Sequence, residues 1–526
     1  MRTVLYFAFF LSGGAGLIYE SIWSRYLGLF VGHTAYAQII VLAIFLGGLS
    51  LGALLVAQRS EMTRRPLLWY AGAELGVGLY GFLFHDLFVA LQELAYSGLF
   101  PALAGTPFLG PVKWGLVALL LLPPSILLGT TFPFMSAGFI RLFPGSPGRV
   151  LSLLYFTNSY GAALGALLAG FVLVAQFGLP GTVLSAGVLN ALVAVLAWAV
   201  DKRAAMAGAW PEIRPLQELE ATPDSEEEER STGDREPGWP RSEKDLWGLL
   251  LAVSFGTAVA SFIYEIAWIR MLSLVLGTAT HSFELMLSAF ILGLAAGAYW
   301  MRGRADRIED PVRVLGWIQL AMGMLALATL PLYVSSFEWT AGLLEALNRS
   351  PAGYRLFNLF RYGVALAVML PATFCAGTTL PLITRTLFTR GAGERAIGWV
   401  YGVNTLGSIV GVVAASLVLL PHLGLKPLLV LGGGLDMALG VLLFARISSR
   451  LAGAPRNRAR ARTVGAAAAA SAMVLAVLLG IRLDRALLGS GVYRTGRLPM
   501  EGTEILFYRD GRTSTVTVDR KAPGVI

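Results

Sequence analysis

Five acids sit inside stretches that are otherwise apolar: Glu20, Glu74, Glu265, Glu284 and Asp436. A charge facing hydrocarbon costs about 3 kcal/mol or more unless it meets protein or water, so these positions hold most of the chemistry the sequence offers. Glu20 and Glu265 are each followed five residues on by an arginine, Arg25 and Arg270. Five residues is about 140° round a helix, which makes a pair within one helix awkward and a pair with another helix the expectation. Two readings stay open for them: buried ion pairs that fix helix packing, or a site for a substrate or a proton. A small cation such as a polyamine would suit the set, with Glu20 and Glu265 the weaker candidates because the arginines could already neutralise them.

Other polar residues extend the candidate site. Once the internal repeat described below is aligned, Glu74 falls opposite Gln319, Asn190 opposite Asp436, and Ile39 opposite Glu284. That divergence in charge favours a ligand with direction, the alternative being local interhelical hydrogen bonds. Asn158 and Asn404 recur in step and join the candidate substrate-binding set. The elements Gly129-Thr130-Thr131-x-Pro133 and Gly377-Thr378-Thr379-x-Pro381 put a helix breaker, hydroxyls and a flexible glycine within one turn. They are expected to unwind a helix and free backbone carbonyls, as binding-site geometry or as a plain kink. Lys113 and Arg361, at span starts, read as snorkelling cations.

Some chemistries find no residues here. His33, His85, His281 and His422 lack ligand spacing, and the single Cys375 allows neither a disulfide framework nor a cysteine metal site, so no metal is expected. Gly432, Gly433 and Gly434 lie inside an apolar span with no strand before them, which favours helix packing over a phosphate cradle. No catalytic residue is assigned and no cofactor is expected on this chain.

The elements that must carry these residues are membrane spans. Of 526 residues 56% are hydrophobic and only 14% charged, against roughly 25% charged in a soluble domain, and mean hydropathy is +0.67. Apolar runs of about 20 residues recur, long enough to cross a bilayer, so a soluble globule is excluded. The formal charge of +9 falls in short loops and not on a continuous stripe, which signals topology and not nucleic-acid binding. The first run reads as a retained span.

Spans are expected near 3–24, 36–57, 67–84, 113–134, 151–175 and 180–200, and the second half of the chain copies them. Ile18, Tyr19, Glu20, Trp23, Arg25, Gly32, Phe45, Gly48 and Gly52 recur as Ile263, Tyr264, Glu265, Trp268, Arg270, Gly277, Phe290, Gly293 and Gly297, all by one shift. Lys113, Gly115 and Pro123 match Arg361, Gly363 and Pro371; Tyr155, Asn158, Gly161 and Gly165 match Tyr401, Asn404, Gly407 and Gly411. An even number of spans per copy makes the copies parallel, related by an axis along the membrane normal. Short-loop arginines after even-numbered spans put the amino terminus in the cytoplasm.

The expected division is a first six-helix repeat over 1–200, a disordered acidic cytoplasmic linker over 201–245, a second repeat over 246–446, a basic loop and thirteenth span over 447–481, and a new element over 482–526. The linker reading rests on its prolines and the run Glu226 to Glu229. An odd span count would carry the carboxyl end of a multi-pass cell-membrane protein outside. There Ile505 to Tyr508 and Thr513 to Val518 read as strands around a two-residue Asp510-Gly511 turn.

The parallel six-helix duplication resembles the major facilitator architecture. The spacing Ile18-Tyr19-Glu20-x-x-Trp23-x-Arg25, the two Gly-Thr-Thr-x-Pro elements and the Tyr155-x-x-Asn158-x-x-Gly161 element together resemble fused major-facilitator and spermidine-synthase-like membrane proteins. Ser490-Gly491-Val492-Tyr493 with Ile505 to Gly511 is similar to the opening hairpin of the synthase-like domain. The resemblance implies a membrane module of an aminopropyltransferase-like protein, the alternatives being a transporter of polyamines or other small cations and a non-catalytic scaffold. Decarboxylated S-adenosylmethionine would be a substrate only if a complete synthase domain follows. The second strand carries Ser514, Thr515 and Thr517 where polyamine-making relatives often have a glutamine. The bilayer and a small cation are the expected partners; oligomeric state is not legible.

Overall fold

The computed structural model describes residues 1–32, 34–57, 59, 61–210, 241–277, 280–348, 350–449, 453–500, 502–511 and 514–520. Twelve stretches are long and apolar enough to cross a membrane, and one of these, the 60 residues Pro147–Met206, holds two crossings because the chain turns at Gly178 (φ 64°, ψ −171°). Thirteen crossings result among the described residues.

The first half comprises α1 (Arg2–Val31), α2 (Thr34–Ala57), α3 (Pro66–Leu94, prolonged through a π turn to Ala102), α4 (Leu109–Leu142), α5 (Pro147–Leu168) and α6 (Val174–Met206). The second comprises α7 (Arg241–Leu276), α8 (Thr280–Met301), α9 (Pro311–Ala346), α10 (Pro351–Leu387), α11 (Arg395–Val413, prolonged to Leu423) and α12 (Leu425–Ser449). The repeat is kept in detail. Both α5 and α11 end in a π turn, at Ala169–Leu173 and Ala414–Leu419, and each turn leads to a glycine with positive φ, Gly178 or Gly424.

Within each half the helices approach closely because the repeated glycines remove side chains where backbones meet. A Cβ on Gly129 would collide with the Leu49 carbonyl of α2, and one on Gly377 with the Leu294 carbonyl of α8. Gly161 and Gly407 likewise seat α5 on Phe10 of α1 and α11 on Phe255 of α7. Close backbone approach through small residues is how helices associate where lipid is as apolar as leucine. The halves meet through α2 against α11 and α5 against α8. Lipid-facing stripes are visible on outer helices: Leu75, Leu79, Leu83 and Leu87 follow one face of α3 and are all exposed.

Three expectations are corrected. The Gly-Thr-Thr-x-Pro elements do not unwind: α4 and α10 continue through them, and Thr130, Thr131, Thr378 and Thr379 turn their hydroxyls back onto carbonyls three residues earlier at 2.6–2.7 Å. The threonine hydroxyls bond within the preceding turn, to the carbonyls of Leu127, Leu128, Cys375 and Ala376, and the helices continue past Pro133 and Pro381. The segment between the halves is shorter than 201–245, since α6 runs to Met206 and α7 begins at Arg241; the acid run lies outside the described residues. The hairpin turn is also longer than expected. β1 (Glu504–Asp510) pairs antiparallel with β2 (Thr515–Arg520), Asp510 stands opposite Thr515, and the Gly511 amide donates to the Ser514 carbonyl at 2.8 Å.

Helix α13 (Gly453–Gly480) lies on the outside of the second half, against α12 and α9. Lys426 at the start of α12 donates to the carbonyls of Leu478 and Ile481 at 2.8 and 2.6 Å, which ties the far end of α13 beside the near end of α12. The two run antiparallel over their length. Residues after α13, with short helices α14 (Arg485–Gly489) and α15 (Val492–Thr495) and the hairpin, therefore sit at the end of the bundle opposite the amino terminus.

Candidate functional site

Two cavities of about 230 and 100 Å³ lie between the halves and share Glu20, Leu42, Glu265 and Leu287 in their walls. Glu20 on α1 and Glu265 on α7 are repeat equivalents, so the parallel duplication brings both to the boundary between the halves. Glu265 is 5% exposed and Glu20 half-buried. Among the described residues neither carboxylate has a hydrogen bond or ion pair with protein, and Glu20 acts on Glu265 as a like charge. The arginines that were expected to neutralise them are engaged elsewhere. Arg25 ion-pairs with Glu284 of α8, and Arg270 turns to the carboxyl-terminal hairpin.

The larger cavity extends from the acids toward the amino-terminal end. Asn158 of α5 and Asn404 of α11 line it and also donate to α1 and α7, at the carbonyls of Phe9 (3.4 Å) and Ser254 (3.1 Å). Tyr155 and Tyr401, three residues earlier on the same helix faces, form its floor with Phe132. Phe132 stacks on Tyr401 across the half boundary with ring centres 5.1 Å apart and meets Tyr155 edge-on at 6.4 Å. Sequence reasoning left Tyr155 and Tyr401 out of the candidate set, although their i, i+3 spacing to the repeated asparagines was there to be read, and nothing in the spacing pointed to Phe132.

Beyond the floor, ions tie the halves together. Arg141 holds Glu394 through two bonds of 2.5 and 2.7 Å, and Arg395 holds Glu61 at 2.6 Å. Asp306, the repeat equivalent of Glu61, accepts the Gly148 and Arg149 amides at the start of α5, both at 2.9 Å. The opposite end is tied by Arg25 and Glu284. That carboxylate is fully buried and lies over Gly170 in the π turn of α5, where any side chain would overlap it. His281 packs beside it, stacked on Phe171 at 4.5 Å.

The remaining candidate acids lie inside the halves and line neither cavity. Glu74 on α3 is fully buried and accepts from Ser12 of α1 and Asn190 of α6, both at 2.5 Å. In the second half Gln319 of α9 donates to Thr257 of α7, and Asp436 of α12 accepts from Tyr264 at 2.5 Å. The hydroxyl, acid and amide positions of the two clusters correspond: Ser12 to Thr257, Glu74 to Gln319, Asn190 to Asp436. Each half thus keeps one acid and one amide, on exchanged helices. Of the Gly-Thr-Thr-x-Pro residues only Thr131 lines the larger cavity. Lys113 donates to the Val31 carbonyl at 3.1 Å, and Arg361 to Asn358 at 3.1 Å. Among the described residues no three His, Cys, Asp or Glu side chains come together as metal ligands.

No family model matches the chain, and no curated protein is similar to it in sequence. Solved structures are similar in architecture. The human organic anion transporter MFSD10 (TETRAN) aligns over 84% of this chain and 98% of its own, at 13% identity and a TM-score of 0.50. A bacterial homologue of the iron transporter ferroportin, crystallised in an outward-facing state with soaked iron, aligns over 85% and 98%, at 14% identity and 0.52. The chain has a major facilitator fold. Its two cavities lie between the two repeats. Neither likeness supports the synthase-like part of the sequence resemblance.

Proposed function

We propose that the chain is a secondary transporter that binds a small organic cation between its halves, with Glu20 and Glu265 as the counter-charges. One observation carries this reading: two repeat-equivalent acids line one inter-half space and have no cationic protein partner among the described residues. Two acids that no cation ion-pairs among the described residues, with Arg270 in the smaller cavity's wall turned to the hairpin, disfavour an anion, so the substrate named for the human neighbour is not carried over. Among the described residues no third acid or imidazole stands beside them for a compact metal ion. An elongated dication such as a diamine fits better, one ammonium at the acids and its methylenes along Leu42, Phe45 and Phe290. The faces of Tyr155, Tyr401 and Phe132 would receive the second ammonium.

Transport follows from the same parts. The ion pairs at the amino-terminal end and the Arg25–Glu284 pair at the other are two sets of latches across the halves, and rocking requires that they open in turn. By the phase of the loop arginines we place the amino-terminal end in the cytoplasm. The test is binding of radiolabelled putrescine to purified protein, with loss in Glu20→Gln and Glu265→Gln.

A second reading concerns the segment after α13. The hairpin forms where the resemblance to synthase-like fusions puts one, so a membrane module serving such a domain stays in play. Among the described residues of 482–520 the sheet has two strands, too few to hold a nucleoside. The purified chain incubated with decarboxylated S-adenosylmethionine and putrescine is expected to form no spermidine above a heat-killed control.

A further inference from the structure

Glu284 of α8 has no acidic equivalent in half one, and the residues around it are as one-sided. By the repeat shift, half one carries Ile39 for Glu284 and Tyr36 for His281, and half two carries Ser416 for Gly170 and Leu417 for Phe171. Glu284, His281, Gly170 and Phe171 meet at one point on the boundary, at the end of the bundle opposite the amino terminus. The carboxylate lies over Gly170, and the imidazole stacks on Phe171 in the same π turn of α5.

Only one oxygen of this acid is used by the latch. Oε1 takes the Arg25 guanidinium from α1. Oε2 is buried and has no hydrogen bond among the described residues. Nδ1 of His281, one turn earlier on α8, stands 3.7 Å from Oε2 and is likewise buried and unbonded. A carboxylate oxygen buried without a donor is costly, and a proton on Nδ1 is the smallest addition that would supply one. The His281 side chain is 37% exposed, so water reaches the ring. The other charges that face it are Arg25 and, from α10, Arg361, which is bonded to Asn358; the π turn of α5 contributes none.

We propose that His281 and Glu284 form a proton-binding site, filled from the end opposite the amino terminus, and that the proton opens the Arg25–Glu284 latch. This rests on the reading of that pair as one of the two latches. Histidine is the side chain that titrates near neutral pH. When Nδ1 takes a proton from water, the imidazolium donates to Oε2 and compensates the carboxylate from within α8. Arg25, which belongs to the other half, then shares its acid with a second cation in a low-dielectric site, and its hold across the boundary weakens. Return of the proton to water restores the latch. Loading of the cation chamber from that end is thereby coupled to protons.

The test uses the full chain and reads latch and transport separately. For the latch, Cys375 is replaced by alanine and spin labels are placed on cysteines at Leu29 of α1 and Tyr354 of α10, both exposed near that end, so that electron spin resonance reports the distance between halves. Acidification from about pH 8 to about pH 5.5, a window that spans histidine's usual titration, should lengthen the distance. His281→Gln should keep it short, and His281→Lys, charged throughout, should make it long already at the alkaline end. For transport, radiolabelled putrescine uptake into proteoliposomes of fixed internal pH should rise about tenfold over the same external window and lose that rise in His281→Gln. A distance that ignores pH, or responds as fully in His281→Gln, overturns the proton site. Should His281→Gln fail to fold, the lysine variant decides, a short distance at the alkaline end overturning the site. A responsive distance with pH-independent uptake overturns the coupling. Absence of uptake at every pH overturns the cation reading, and the distance alone then decides the site.

Discussion

The two halves keep some buried polar residues identical and trade others, and the division follows position. Glu20 and Glu265, Tyr155 and Tyr401, Asn158 and Asn404 are identical pairs, and all six line the space between the halves. Glu74 with Asn190 and Gln319 with Asp436 are traded pairs, and all four lie inside a half, hydrogen-bonded to neighbouring helices. In half one the acid takes bonds from Ser12 and from the amide, whereas in half two the amide donates to Thr257 and the acid accepts from Tyr264, so each half finds local partners for one acid and one amide whichever helix carries which. At the boundary both halves contribute to one chamber, and a change on one side alters what the other side sees. At these pairs charge asymmetry marks interior clusters and identity marks the shared chamber, while Ile39 and Glu284 differ in charge at the boundary itself, where Glu284 pairs with Arg25.

The comparison is most exposed to a second acid in a cluster built for one. Asn190→Asp sets a carboxylate beside Glu74, with the cost of an uncompensated buried charge, roughly 3–5 kcal/mol, and should lower the detergent melting temperature sharply. Exchanging the pair in full, Glu74→Gln with Asn190→Asp, reproduces the pattern of half two and should recover most of the loss. A single Asn190→Asp variant that melts like wild type would break the comparison.

The latch that differs between halves gives the next effect. Arg25→Gln leaves Glu284 buried without its cation, at a cost of about 3 kcal/mol; adding Glu284→Ile, the residue half one carries at the equivalent position, should regain stability. No recovery in the double variant would mean that Glu284 has other essential partners. The smallest effect is expected at the helix-break elements. Thr130→Val and Thr378→Val remove only local bonds to the preceding turn, worth about 0.6 kcal/mol each by membrane-protein measurements, and putrescine binding should stay within twofold. A large loss of binding would return those carbonyls to the candidate site.

Span positions, the parallel repeat and the thirteenth crossing were legible in the sequence, since each rests on hydropathy and spacing within one segment. Topology can be checked by labelling cysteines placed at the exposed Met206 and Met500, expected on opposite faces, the first cytoplasmic. The chamber was only half legible. Helical geometry made a Glu20–Arg25 pair within α1 awkward yet could not say which helix each arginine finds, and in the structure Arg25 reaches Glu284 and Arg270 reaches the hairpin. Ranking Glu74 above Glu20 followed from supposing the nearest arginine in sequence to be the neutralising one. The proline elements misled for a related reason. A proline inside a long, closely packed helix kinks it without breaking it, and α4 and α10 continue through Pro133 and Pro381 with the neighbouring threonine hydroxyls bonded to the preceding turn.

The central claim is that the paired acids at the boundary, and not those inside the halves, hold the cation. Equilibrium binding of radiolabelled putrescine to the purified protein tests it, across wild type, Glu20→Gln, Glu265→Gln and the exchanged pair Glu74→Gln with Asn190→Asp. Each boundary variant should bind at least tenfold more weakly, as expected from losing one charge-assisted contact of roughly 1.5–3 kcal/mol, while the exchanged pair stays within threefold of wild type. Wild-type affinity in both boundary variants, or a loss in the exchanged pair as large as theirs, would contradict the account.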